Sequence, residues 1–197
     1  LVGRRLFGRS LDSNIDLIRE EFGRVAYTHK THEKAREQCS RKASISQWIN
    51  VVLNALTFGG VLTSLQSANQ AFLYVTLGFA TVTAGYTLYQ LSFNPKQEAV
   101  EHREAAKSLL KIRDNYVHLL ADVMGNALST SEIRLQREQL AAQAQEIYRA
   151  APDTNYKAYR SAQQALKVQE DLTFSDDEID KFLPRNLRKN ACRHNWS

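Results

Sequence analysis

Between Ala43 and Pro95 the sequence has no Asp, Glu, Lys or Arg, although 26 basic and 21 acidic side chains crowd the remainder of the 197 residues. A run of 53 uncharged positions excludes a helix lying on a protein surface in water, because such a helix needs a polar face along its length. Proline occurs three times and glycine eight times, too seldom for a fold built on turns, and no strand-like alternation appears. An all-α chain is therefore expected. Only two cysteines are present, Cys39 and Cys192; they have no metal-like spacing, and both fall on the cytoplasmic side under the topology expected below, so no disulfide is expected. Also missing are a glycine-rich phosphate loop, a nucleophile motif and a carboxylate pair. Neither an enzyme nor a cofactor-binding protein is expected.

What the uncharged stretch does contain is two apolar runs, Ile45 to Leu65 and Ala71 to Phe93. At about 1.5 Å per residue, each is long enough as a helix to cross a hydrocarbon layer of about 30 Å. A mean hydropathy of -0.43 would suit a soluble protein, but that average merges the uncharged stretch with two strongly charged flanks. The competing soluble reading buries both runs inside a helical bundle. Two adjacent uncharged spans fit a membrane hairpin better. Arg36, Arg41 and Lys42 precede the first span, Lys96, Arg103 and Lys107 follow the second, and the joining Gln66 to Gln70 carries no charge. Both termini are thus expected to face the cytoplasm. Trp48, Tyr89 and Phe93 then fall at the cytoplasmic interface, and Phe72 and Tyr74 near the outer one, where amphipathic rings prefer to sit.

Each span carries a polar stripe. On the first, Gln47, Asn50, Asn54, Thr57 and Ser64 share one helix face, and on the second Thr76, Thr83, Thr87 and Gln90 do so. Polar groups at membrane depth avoid lipid, because an unsatisfied one costs several kcal/mol, so both stripes should face protein or water. Two readings stand. The stripes serve as interhelical glue, at about 0.6 kcal/mol per contact, or the face of Gln47, Asn50, Asn54, Thr57 and Ser64 lines a pore shared by several copies. Gly60 with Ser64, and Ala80 with Ala84, permit close helix approach under either reading, alongside polar contacts through Thr83, Thr87 and Gln90. Gly59-Gly60 marks a possible hinge.

The flanks read as helices. Leu11, Ile15, Ile18, Phe22 and Val25 form one apolar face of a helix starting near Asp12 or Ser13 and reaching about Lys42, and Ala105, Leu109, Ile112, Tyr116, Leu119 and Val123 form another between Pro95 and about Met124. Ser129-x-x-Glu132 predicts a capping box for a helix to about Ala150, with Ile133, Leu140, Ala144 and Ile147 on one side. A helix over 155–169 follows, and Ser175-x-x-Glu178 caps a short one in which Ile179, Phe182 and Leu183 precede Pro184. The expected organisation is a cytosolic helix (1–42), a two-span hairpin (43–95), cytosolic helices (96–184) and a basic tail (185–197), built as one domain. His29, His32 and Glu33 lie together on the first helix, but with no third convincing ligand no metal site is expected. Arg41, Lys42, Lys96 and Arg103 could contact anionic lipid, a nucleotide or RNA. Positive-inside topology already accounts for them, and a net charge of +5 is too mild to argue for direct nucleic-acid binding.

This layout, together with Glu101-His102-Arg103-Glu104-Ala105-Ala106 after the hairpin and the closing Glu178-Ile179-Asp180-Lys181-Phe182-Leu183-Pro184, resembles the SLATT domain, a two-transmembrane effector family associated with SMODS nucleotidyltransferases and SLOG sensors. The resemblance implies a homo-oligomeric effector of a bacterial antiphage, abortive-infection system, acting on the lipid bilayer of the inner membrane. It implies activation by a second messenger or by a partner such as a reverse transcriptase, and supplies no catalytic residues. A membrane anchor whose cytosolic helices dock a signalling partner is the alternative.

Overall fold

A helix from Val2 to Gln66 (α1) runs unbroken for 65 residues, which at 1.5 Å per residue is about 98 Å. It carries the chain from the charged N-terminal flank directly into the first apolar span. From Arg24 to Phe58 there is no proline or glycine to interrupt it, so the change in composition at residue 42 is not a helix end. The computed structural model describes residues 2–66 and 70–182, with side chains from residue 14 onward except 176 and 182. The side chains of Leu11 and Phe182, and all of Leu183, Pro184, Cys192 and the tail, lie outside that description.

The second span, α2 (Gln70–Ser92), returns antiparallel to α1, and α3 (Pro95–Met124) continues back beneath it. Asn94 caps α3 by accepting from the Gln97 N–H, and Pro95 occupies the first turn, where its missing donor costs nothing. Gly125 keeps a right-handed conformation and the following Asn126 takes the positive φ of 53°, a role asparagine tolerates better than most residues. The expected capping box at Ser129 and Glu132 opens α4 (Thr130–Ala150). Asn155 caps α5 (Tyr156–Lys167). Before α6 (Asp176–Phe182), Ser175 N–H donates to the Glu178 carboxylate and Ser175 Oγ accepts from Glu178 N–H. The fold is all-helical, and there is no strand among the described residues.

Apolar spacing on the flanks becomes a shared core. Ile18 and Val25 of α1 meet Leu109, Ile112, Tyr116, Leu119 and Val123 of α3 and Ile133, Leu140 and Ala144 of α4, with Ile15, Phe22 and Ile147 at the edge. Across α1 lies α5, whose packed face is Ala158, Ala162 and Ala165, each without exposure. Alanines let the two backbones approach closely and leave the larger, polar side chains of α5 outside. The spans are the opposite case. Trp48, Phe58, Leu65, Leu77, Leu88 and Leu91 are all more than 60% exposed, and two helical stretches are long and apolar enough to cross a membrane. Apolar surface of that extent is covered by lipid.

Candidate functional site

The two spans meet along a seam whose α1 side is Ser46, Asn50, Leu53, Thr57, Gly60 and Ser64, all half-buried and spaced 4, 3, 4, 3 and 4. That is the heptad spacing of a helix pair. At the end nearest the charged flanks Asn50 Nδ2 donates to Gln90 Oε1 at 2.9 Å. Gln90 Nε2 in turn donates to Ser46 O at 3.0 Å and Ser46 Oγ at 2.7 Å, and Ser46 Oγ lies 2.9 Å from the Tyr86 hydroxyl. Midway, Thr57 and Thr83 hydroxyls are 3.2 Å apart, and near the far end Ser64 and Thr76 are 3.3 Å apart. Each of these four hydroxyls also donates to the carbonyl one turn back on its own helix, so the pairs hold by close approach rather than by a full mutual bond. Gly60 makes the approach possible. A Cβ there would stand 2.6 Å from Thr76 Oγ1, whereas a Cβ on Gly59 would meet nothing.

Of the polar residues singled out on the spans, the structure therefore brings Asn50, Thr57 and Ser64 against Thr76, Thr83 and Gln90, inside the hairpin of a single chain. Gly60 and Ala80 sit at the same seam, half-buried. Gln47, Asn54 and Thr87 stay exposed. The Thr87 hydroxyl is committed to Thr83 O. Asn54 Nδ2 donates to Asn50 O at 2.7 Å and lies 3.5 Å from Asn50 Oδ1, while Gln47 makes no hydrogen bond within the described residues. Trp48, Phe72, Tyr74, Tyr89 and Phe93 are exposed, and at the base of α2 Tyr86 stacks on Tyr89, which meets Phe93 at a tilt. Ser46 and Tyr86 complete the seam. Ser46 was legible as the residue four before Asn50, and Tyr86 as the residue four before Gln90.

Below the membrane, α1 and α3 bury a polar cluster that periodicity alone does not reveal. His29 Nδ1 donates to Ala106 O at 2.8 Å, and His32 Nδ1 lies 2.9 Å from His102 Nδ1. Burial, with His102 and His29 beside it, pushes the His32 pKa down to about 4, and burial also lowers His102 against the pull of Glu98 and Glu101. Lys30 lies 2.8 Å from Glu33 and 3.0 Å from Asp171. Burial opposes its charge, but those two carboxylates outweigh it and hold Lys30 above its usual range. This ion pair and the bond from Arg113 to Leu172 O tie the segment after α5 back onto α1 and α3. Cys39 and Glu98 lie beside His102, and their ligand atoms are all within 4.8 Å of one another. Burial and then Glu98 push the Cys39 thiol up.

On the outside, α1 and α5 flank an open groove of about 840 Å³ that presents Lys34, Arg41, Lys42 and Lys157, with Tyr156 at its wall. Among the described residues, Glu37 is the one acidic side chain lining it.

Residues 15–178 match SLATT_4, the SMODS and SLOG-associating 2TM effector domain family 4. No curated protein and no solved structure matches the chain significantly. The match covers most of the sequence, so the chain belongs to this family of two-transmembrane effector domains, associated with antiphage systems and located in a membrane.

Proposed function

We propose that this chain is the membrane-permeabilising effector of a bacterial antiphage system: copies assemble in the inner membrane, with both termini cytoplasmic, and breach it when a partner or second messenger activates them. The observation that supports this reading best is Asn54. It lies twelve residues beyond Lys42, about 18 Å along the helix axis, which is near the middle of a hydrocarbon layer of about 30 Å, and it is exposed there. One of its N–H groups reaches Asn50 O; the rest of the amide has no partner on α2. Leaving amide groups toward lipid costs several kcal/mol, and a second copy or a file of water removes that cost. Gln47, two turns earlier on the same face, extends the polar edge toward the cytoplasm. Because Asn50, Thr57 and Ser64 are engaged within the hairpin, the proposed pathway is lined chiefly by Gln47 and Asn54. The cationic groove between α1 and α5 is where an anionic activator would dock. It equally favours the second reading, in which the spans only anchor a docking module.

Growth arrest in cells that express the complete system separates the two, with dye release from liposomes containing the activated chain as the counterpart in vitro. Replacing Gln47 and Asn54 together by Leu is expected to cut release at least tenfold, since a dry face can neither bond a neighbour nor hold water, while membrane insertion is kept. Release equal to that of the unaltered chain removes the pore and leaves the anchor.

A further inference from the structure

We propose that Cys39, Glu98 and His102 form a binding site for a divalent ion of the zinc class, which clasps α1 to α3 just beneath the membrane. Glu98 and His102 are four residues apart on α3 and so share one face, and Cys39 is supplied by α1. The Cys39 sulfur, a Glu98 carboxylate oxygen and a His102 ring nitrogen lie within 4.8 Å of one another. Tetrahedral zinc, with bonds of about 2.0 to 2.3 Å, sets such atoms about 3.3 to 3.6 Å apart. Closing the set needs movements of about an ångström, which side-chain torsions supply. Cys39 and His102 are 3% and 2% exposed and held in place, while Glu98 reaches the Cys39 thiol from an exposed position where its side chain has room to turn.

The donor chemistry favours zinc over the hard cations. One sulfur, one imidazole nitrogen and one carboxylate oxygen form a borderline-soft set, and three protein ligands leave a fourth position for water. A thiolate and a carboxylate balance the two positive charges, the thiol proton passing to solvent as the ion binds. His32 supplies the outer support. Its Nδ1 lies on His102 Nδ1 at 2.9 Å, which fixes the ring and leaves Nε2 as the ligating nitrogen, as hydrogen-bonded partners do in metal sites generally. The exposed side of Glu98 is the entry path.

The test uses the full chain in detergent with Cys192→Ser and His194→Gln, so that donors in the tail cannot bind. After stripping with a chelator, Co²⁺ should bind one per chain, with a thiolate-to-cobalt charge-transfer absorption that Zn²⁺ then erases, and Zn²⁺ should raise the Tm. Cys39→Ser should abolish the absorption, and Glu98→Gln, at an exposed position that folding tolerates, should weaken binding by roughly tenfold or more. Cobalt bound without a thiolate band, affinity unchanged in both variants, or no binding at all overturns the site.

Discussion

Leu109→Asp is expected to abolish cooperative unfolding of the helices outside the membrane and to leave them protease-sensitive in detergent. Leu109 has no exposure and sits at the centre of the contact among α1, α3 and α4. Removing its side chain alone costs about 2–5 kcal/mol, and an unpaired carboxylate among apolar neighbours adds several more, or stays protonated at a similar cost. A domain whose whole stability is about 5–15 kcal/mol cannot absorb that sum. Val117, on the same helix but 43% exposed, provides the comparison. Val117→Asp is expected to change stability by no more than about 0.5 kcal/mol. Thermal unfolding followed by circular dichroism and limited proteolysis measures both, and equal behaviour of the two variants would show that the packing of α3 against α1 is wrong.

Gly60→Leu is expected to pry the two spans apart. At this position even a methyl group meets Thr76 Oγ1 at 2.6 Å and Thr76 Cβ at 3.3 Å, and overpacking a tight contact costs about 1–3 kcal/mol before larger atoms are added. A leucine has no space to enter, so the helices must separate, losing the approach of Thr57 to Thr83 and of Ser64 to Thr76. A disulfide reports it. With Cys39 and Cys192 replaced by Ala, the pair Thr57→Cys and Thr83→Cys should oxidise readily, because the hydroxyls they replace are 3.2 Å apart. Gly60→Leu should then cut the yield severalfold, and Gly59→Leu, with open space around it, should not. A yield insensitive to Gly60→Leu would place the seam elsewhere.

Composition carried much of this architecture. A charge gap fifty-three residues long announces two spans because no soluble helix surface is built that way. The stripes from Ile15 to Val25 and from Ala105 to Val123 mark their buried faces because helical period and burial are the same constraint. Ser129 with Glu132 and Ser175 with Glu178 are local devices, complete within four residues, and so can be read without the fold. What composition marks at residue 42 is the water-to-lipid boundary, and the backbone of α1 passes through it unchanged.

Pairings between distant helices were less legible. Asn50 and Asn54 are one turn apart on the same stripe, yet Asn50 faces Gln90 and Asn54 does not, because the seam follows the heptad through Ser46, Asn50, Leu53, Thr57, Gly60 and Ser64. Threonines exaggerate the polarity of both spans, since Thr63, Thr81 and Thr87 spend their protons on carbonyls of their own helix and require no water. His32 and His102 are seventy positions apart, and neither they nor the trio of Cys39, Glu98 and His102 follow any short motif. Only the antiparallel register of α1 and α3 brings them together.

Oxidative cross-linking between copies in native membranes tests most directly whether the exposed polar edge is where copies meet. With Cys39 and Cys192 replaced by Ala, Asn54→Cys is expected to give disulfide-linked dimers, more of them on activation. Val52→Cys, two residues earlier and about 160° around the helix, is expected to give few. Dimers formed through Val52→Cys but not through Asn54→Cys, or through neither, would contradict the assembly proposed for this hairpin.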